Sequence, residues 1–256
     1  MTGLIQVFTK RLQQGSIAAI GVGNNKMLLC LSASNALNKY LKADLPRLPH
    51  EPGKQAGVNT LISDSDNFNW QLQIIDNSYK SREKTIIVCE ANSRFTFFIP
   101  VSLKLSQEEL TQRLEYEWQL MMAETLEVYQ LIPRSDIAVL LSELSKTEFT
   151  PHWIKNTDLS ISGHISDAAL WVTQTLQEEG LYDLPKELAI ELAIHLNTQP
   201  KRITNKATRR KEKFIPIERL LYYCQTLITS EQRGNKASTD IAGNNNIINF
   251  RDYLHR

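Results

Sequence analysis

Seven cations crowd one short stretch of this chain: Lys201, Arg202, Lys206, Arg209, Arg210, Lys211 and Lys213, against the single acid Glu212. Such a cluster can neutralise several phosphates and bind nucleic acid in a salt-sensitive way. Just upstream, Leu192, Ala193, Leu196, Asn197 and Ile203 fall roughly as in a helix-turn-helix. Ala193 would let two helices approach, Asn197 would sit in the turn, and Ile203 would anchor the second helix. The competing reading is a solvated basic loop joining two helices. Pro200 interrupts any recognition helix, and no aromatic residue is interleaved in the basic run.

A second cluster closes the chain. Phe250, Tyr253 and Leu254, with Arg251 among them, follow a polar stretch over 230–246 that contains Gly234, Gly243 and Asn244-Asn245-Asn246. The spacing i, i+3, i+4 lines one face of a short helix, the pattern of a peptide that docks in a partner's groove. The polar stretch reads as a flexible tether, since it cannot bury enough apolar surface to order itself.

Catalytic signatures are absent from the local patterns. The five histidines, His50, His152, His164, His195 and His255, show no H-E-x-x-H or similar spacing. His195, on an apolar helix, reads as a structural or surface residue. Gly21-Val22-Gly23-Asn24-Asn25-Lys26 lacks the G-K-[ST] ending of a phosphate loop and reads as a glycine turn. There is no G-x-S-x-G. Pairs such as Glu108/Glu109 and Glu178/Glu179 suit solvated helix faces or helix N-termini. No cofactor is expected from these patterns.

Composition narrows the class further. Charged residues make up 22% and hydrophobic residues 42% of 256 residues, with a formal net charge of +1. No global field therefore draws the chain to nucleic acid or membrane, and such an affinity has to be local. Cys30, Cys89 and Cys224 are odd in number and widely spaced, which argues against a disulfide framework or a structural zinc. No run of 18 apolar residues and no secretory-type start is present, so the expected address is the cytoplasm, without a membrane.

The elements that must carry these clusters follow from periodicity. Leu4–Phe8 predicts a strand, and Thr9 caps a helix that ends near Gly15. Met27–Leu31 predicts a strand and Ser34–Leu41 a short helix. The Pro- and Gly-rich stretch 43–67 reads as a loop or insertion. In the next run Phe68, Trp70, Leu72 and Ile74 alternate with Asn69, Gln71 and Gln73, a strand with one apolar and one polar face. Lys84–Glu90 and Arg94–Ile99, parted by Ala91-Asn92-Ser93 and closed by Pro100, complete an antiparallel meander. Ser106 and Glu109 form a capping box for a long helix. A second helix runs from Pro133 to about Ser145. Phe149–Lys155 is expected to return to the sheet as a strand. Further helices are expected over 167–179, stopping at Gly180, from Asp183 and Pro185 to Leu196, and over 217–228.

Several of these segments also resemble a known family. Phe8-Thr9-Lys10-Arg11-Leu12 resembles the C-T-K-K-L-like opening of a family of bacterial proteins without an assigned activity. Val88–Pro100 resembles its apolar strand with an N-x-x-[ST]-x-[FY] centre closed by Pro, and Trp70 matches a tryptophan preceding it. Lys155–Gly163 resembles its K-T-N-D-R-S-x-x-G segment, and Leu196–Pro200 its L-N-x-x-P. Phe8 replaces the cysteine, and Leu159 stands where the family favours arginine. The resemblance spans about residues 4–225 and implies one domain of bacterial origin.

The expectation is thus an α+β domain over residues 1–228, a small, mostly antiparallel sheet packed against several helices, with a flexible tether and interaction motif over 229–256. Its expected role is that of a non-catalytic adaptor or regulatory protein, with an unknown protein partner held by Phe250, Arg251, Tyr253 and Leu254. The alternative is a nucleic-acid-binding regulator using the basic segment 201–213.

Overall fold

In the computed structural model, residues 26–47, 61–78, 81–101, 105–204 and 211–236 are described. The expected strand at 4–8, the helix after Thr9, the glycine turn near Gly21 and the terminal motif with its tether beyond 236 lie outside them.

The sheet grows from an apolar meander. Strands β2 (Asn67–Asp76), β3 (Lys84–Glu90) and β4 (Thr96–Val101) pair antiparallel in chain order, with Leu72 opposite Val88 and Val88 opposite Phe97. β1 (Lys26–Ala33) then joins β2 in parallel, and β5 (Glu148–Lys155) joins β1 in parallel, giving the order β4-β3-β2-β1-β5. The architecture is α+β as expected, and its sheet is mixed, because two parallel ladders extend the meander. Both edges carry a proline, Pro100 in β4 and Pro151 in β5, where a missing N–H costs no ladder bond. Pro100 therefore lies inside its strand rather than ending it.

Helices cover both faces of the sheet. On the Trp70 face, Phe68 stands 5.0 Å from Trp70 and 5.1 Å from Trp118 of α2 (Gln107–Tyr129), and stacks at 5.2 Å on Tyr223 of α6 (Pro216–Lys236). The capping box of α2 forms: Glu109 N donates to Ser106 Oγ at 3.1 Å and Ser106 N to Glu109 Oε2 at 2.8 Å. α3 (Arg134–Leu144) follows, and α1 (Asn35–Leu41), capped by Ser34, joins β1 to β2.

The opposite face corrects the sequence reading of β2. Asn69 and Gln71, alternating with the aromatic residues, are buried too, Gln71 completely. The cover is α4 (Leu159–Glu178), whose Ser162 Oγ accepts from Gln71 Nε2 at 3.2 Å. α4 starts well before the expected Asp167. Asp158 caps it by accepting from Ser160 N at 2.8 Å, and Ser162 Oγ donates back to the Asp158 carbonyl at 3.0 Å. Ser160 and Ser162, which lie outside the helix expected over 167–179, thus belong to the first turn of α4. At the far end Gly180, at φ 66, makes a left-handed stop, with Leu181 N on the Leu176 carbonyl at 2.8 Å.

α5 (Lys186–Thr198) packs across β4. The helix-turn-helix expectation fails beyond it. Pro200 ends α5, and the chain continues as a two-stranded ribbon, β6 (Lys201–Thr204) and β7 (Lys211–Phe214), rather than a recognition helix. Asn197 is not in an exposed turn: it is fully buried, accepts from Thr96 N at 2.8 Å and donates to the Thr96 carbonyl at 2.7 Å. α6 carries the chain past residue 228 to Lys236. Among the described residues no helix is long and apolar enough to cross a membrane.

Candidate functional site

The basic segment is sorted by the pleat of the ribbon. Arg202 pairs with Lys213 and Thr204 with Lys211, so these four side chains share one face, and all four residues are exposed. Lys201, Ile203, Glu212 and Phe214 share the other face. Glu212, the one acid of the segment, forms an ion pair with Arg219 of α6, whose guanidinium also lies 3.8 Å from the centre of the Phe214 ring. Arg219 Nη1 further donates to the Asn92 carbonyl at 3.3 Å, tying the ribbon to the β3–β4 turn. The outer face is left with Arg202, Lys211 and Lys213 and no carboxylate. Lys206, Arg209 and Arg210 lie outside the described residues, as do Phe250, Arg251, Tyr253 and Leu254.

Beneath the ribbon is a polar centre that local sequence patterns do not reveal. At the end of β3, Glu90 is fully buried and accepts from Asn92 N at 3.0 Å, Ser93 N at 2.6 Å, Ser93 Oγ at 2.5 Å and Ser63 Oγ at 2.5 Å. The turn thereby folds round its own carboxylate. Arg94 follows at φ 60, a left-handed position that costs a side chain other than glycine about 1–2 kcal/mol.

Arg94 is only 6% exposed. Its Nη2 donates to Ser160 Oγ at 3.3 Å, while Nε and Nη1 have no hydrogen-bond partner among the described residues. Ser160 Oγ donates its own hydrogen bond to Asp158 Oδ1 at 2.6 Å. Asp158, itself buried, also accepts Leu61 N at 2.8 Å, and its amide donates to Gln71 Oε1 at 2.7 Å. Both nearby carboxylates are thus occupied by amides and hydroxyls rather than by the guanidinium.

His164 stands one turn along α4 from Ser160, half-buried on the same flank. Burial chiefly, then the charges of Arg94 and Lys201, hold its imidazole down to about pKa 4 against a small opposing pull from Asp167. It is therefore neutral at pH 7. His195, by contrast, lies against the Trp171 ring at 4.9 Å and plays a packing part. Cys89 and Cys224 are fully buried small hydrophobes, and burial raises both thiols, Cys89 to about 11. Among the described residues no group of three His, Cys, Asp or Glu side chains could hold a metal ion.

The structure thus brings together Asn92–Thr96, Asp158–His164 and Asn197–Lys201, three segments far apart in the chain. Of the sequence-predicted site residues that are described, Lys201 lies on the inner face of the ribbon, and Arg202, Lys211 and Lys213 lie on the outer one. Arg94 read as the first residue of a strand run and Ser160 only as part of the family-like segment Lys155–Gly163, and no local pattern marked either as a site residue. Comparison with protein-family models, curated proteins and solved structures finds no match to this chain.

Proposed function

We propose that this protein binds nucleic acid through the outer face of the β6–β7 ribbon. One observation carries the reading: Arg202 and Lys213 stand directly opposite each other on an exposed face that also holds Lys211 and no acid. Like charges placed across a ladder repel by about 0.2–1 kcal/mol unless an anion lies between them. A polyanion relieves that repulsion, and its phosphates are spaced closely enough to meet several cations of one ribbon. A two-stranded ribbon also has the dimensions to enter a major groove. The described face offers charge and one threonine hydroxyl rather than a set of base-reading amides, so it favours backbone contacts over sequence readout.

Fluorescence anisotropy of labelled duplex and single-stranded oligonucleotides against the full chain, over a range of salt, tests the reading. Three phosphate contacts from the described cations predict a log K against log salt slope of about −2 to −3. Charge reversal in the pair Arg202→Glu, Lys213→Glu should abolish binding and leave Tm unchanged. Absence of binding at low salt, or binding indifferent to the reversal, would sink the proposal.

A further inference from the structure

The buried guanidinium of Arg94 is the least explained charge among the described residues. Taking a cation out of water costs several kcal/mol unless it is paired and hydrogen-bonded. Arg94 meets one hydroxyl, and two of its nitrogens meet nothing described. The same residue occupies a left-handed backbone position that asparagine or glycine would fill with less strain. Arginine at that point is explained if its side chain has work to do where it points.

It points at the start of α4, a 20-residue helix whose first turn adds a positive end. Ser160 and His164 lie one turn apart on that helix. Lys201 sits half-buried on the inner face of the ribbon, opposite the face that carries Arg202. The charges of Arg94 and Lys201 both hold the His164 imidazole down, and Arg94 reaches Ser160, one turn from His164 on α4. Glu90 and Asp158 have their oxygens taken by other donors, so neither is free to pair with the guanidinium.

We propose that Arg94, Lys201, His164 and Ser160 form a binding site for a phosphate dianion, with the α4 N-terminus behind it. Arg94 supplies Nη1 together with the neighbouring Nη2, which has a second N–H besides the one given to Ser160, as a fork that suits two oxygens of one phosphate. Lys201 supplies the second positive charge, matching a dianion rather than a single carboxylate. Neutral His164 donates one N–H and leaves no surplus charge. Ser160, whose proton is engaged by Asp158, orients the guanidinium. The phosphate is either free or the terminal group of a phosphate monoester. This site does not rest on nucleic-acid binding by the outer ribbon face, which points the other way.

Histidine NMR on the full chain provides the test, with inorganic phosphate titrated against chloride at constant ionic strength. An anion beside His164 should raise its pKa by about one pH unit or more, leaving His152 and His195 in place. Lys201→Gln should weaken phosphate binding about ten-fold with Tm unchanged, and Arg94→Lys should weaken it while keeping charge, through loss of the fork. Arg202→Glu with Lys213→Glu should not alter it. Adenosine 5′-monophosphate in place of phosphate identifies the source: tighter binding marks an ester, weaker binding free phosphate. The proposal is overturned if His164 does not respond to phosphate, if chloride moves it equally, if both site variants bind as the parent does, or if reversing the outer face abolishes the response.

Discussion

His164 shows how a residue with no sequence motif acquires a defined electrostatic role. Its imidazole is held near pKa 4 by burial and by the positive charges of Arg94 and Lys201, below the 6.5 of an unfolded histidine. Between those values the unfolded chain binds a proton that the folded chain refuses. The contribution is therefore complete above about pH 6.5 and is lost as pH falls toward 4. Screening at a half-buried site leaves an effect of about 1–2 kcal/mol. Urea unfolding at pH 7 and at pH 4.5 should show that His164→Gln narrows the difference between the two; an unchanged difference would show that His164 does not sense those charges. The histidine itself was visible in the sequence, but the cations that face it come from the β3–β4 turn and from β6.

Among the elements, α5 packs across β4 and is tied to it by the side chain of Asn197. Asn197 gives both ends of its amide to Thr96, and replacing it by alanine leaves a buried N–H and a buried C=O without partners. Asn197→Ala should therefore destabilise by about 2–4 kcal/mol, read as a fall in Tm of several degrees. A change within a few tenths of a kcal/mol would show that water or a shifted backbone replaces the amide. Capping chemistry is the part of this level that sequence conveys well, because Ser106 and Glu109 act within one turn of each other. The start of α4 was hidden for the opposite reason. Ser160, Ser162 and Gly163 carry weak helix propensity, and the interactions that secure them reach to Gln71 and Leu61, far back in the chain. The ribbon in place of a second helix has the same origin: its inner face is held by Arg219 of α6 through Glu212 and Phe214.

At the scale of the molecule, one hydrophobic core links the sheet to helices on both faces. It runs from Leu29 and Trp70 through Trp118 and Leu126 to Ile165, Leu192 and Cys224. No described helix has a core of its own, so the folded unit should unfold in one cooperative step. Tryptophan fluorescence, which reports Trp70, Trp118, Trp153 and Trp171 together, and far-UV circular dichroism should give coincident urea transitions. Separate midpoints would show that α4 and α5 form a unit that opens by itself. Cooperativity of this kind also accounts for the exposed ribbon: with the core complete elsewhere, Arg202, Lys211 and Lys213 are free to present charge.

Local pattern was enough to establish the strands β1 to β5, the long capped helix after Ser106 and the density of cations in 201–213. Alternation, capping and charge density are properties of neighbouring residues, and they survive reading one window at a time. Tertiary structure alone decided that the polar face of β2 is buried, that the basic segment forms a ribbon with one acid-free face, and that Arg94, Ser160, His164 and Lys201 converge. Each of those depends on contacts between residues tens of positions apart, whose energies come from shared burial and from partners that no local window contains.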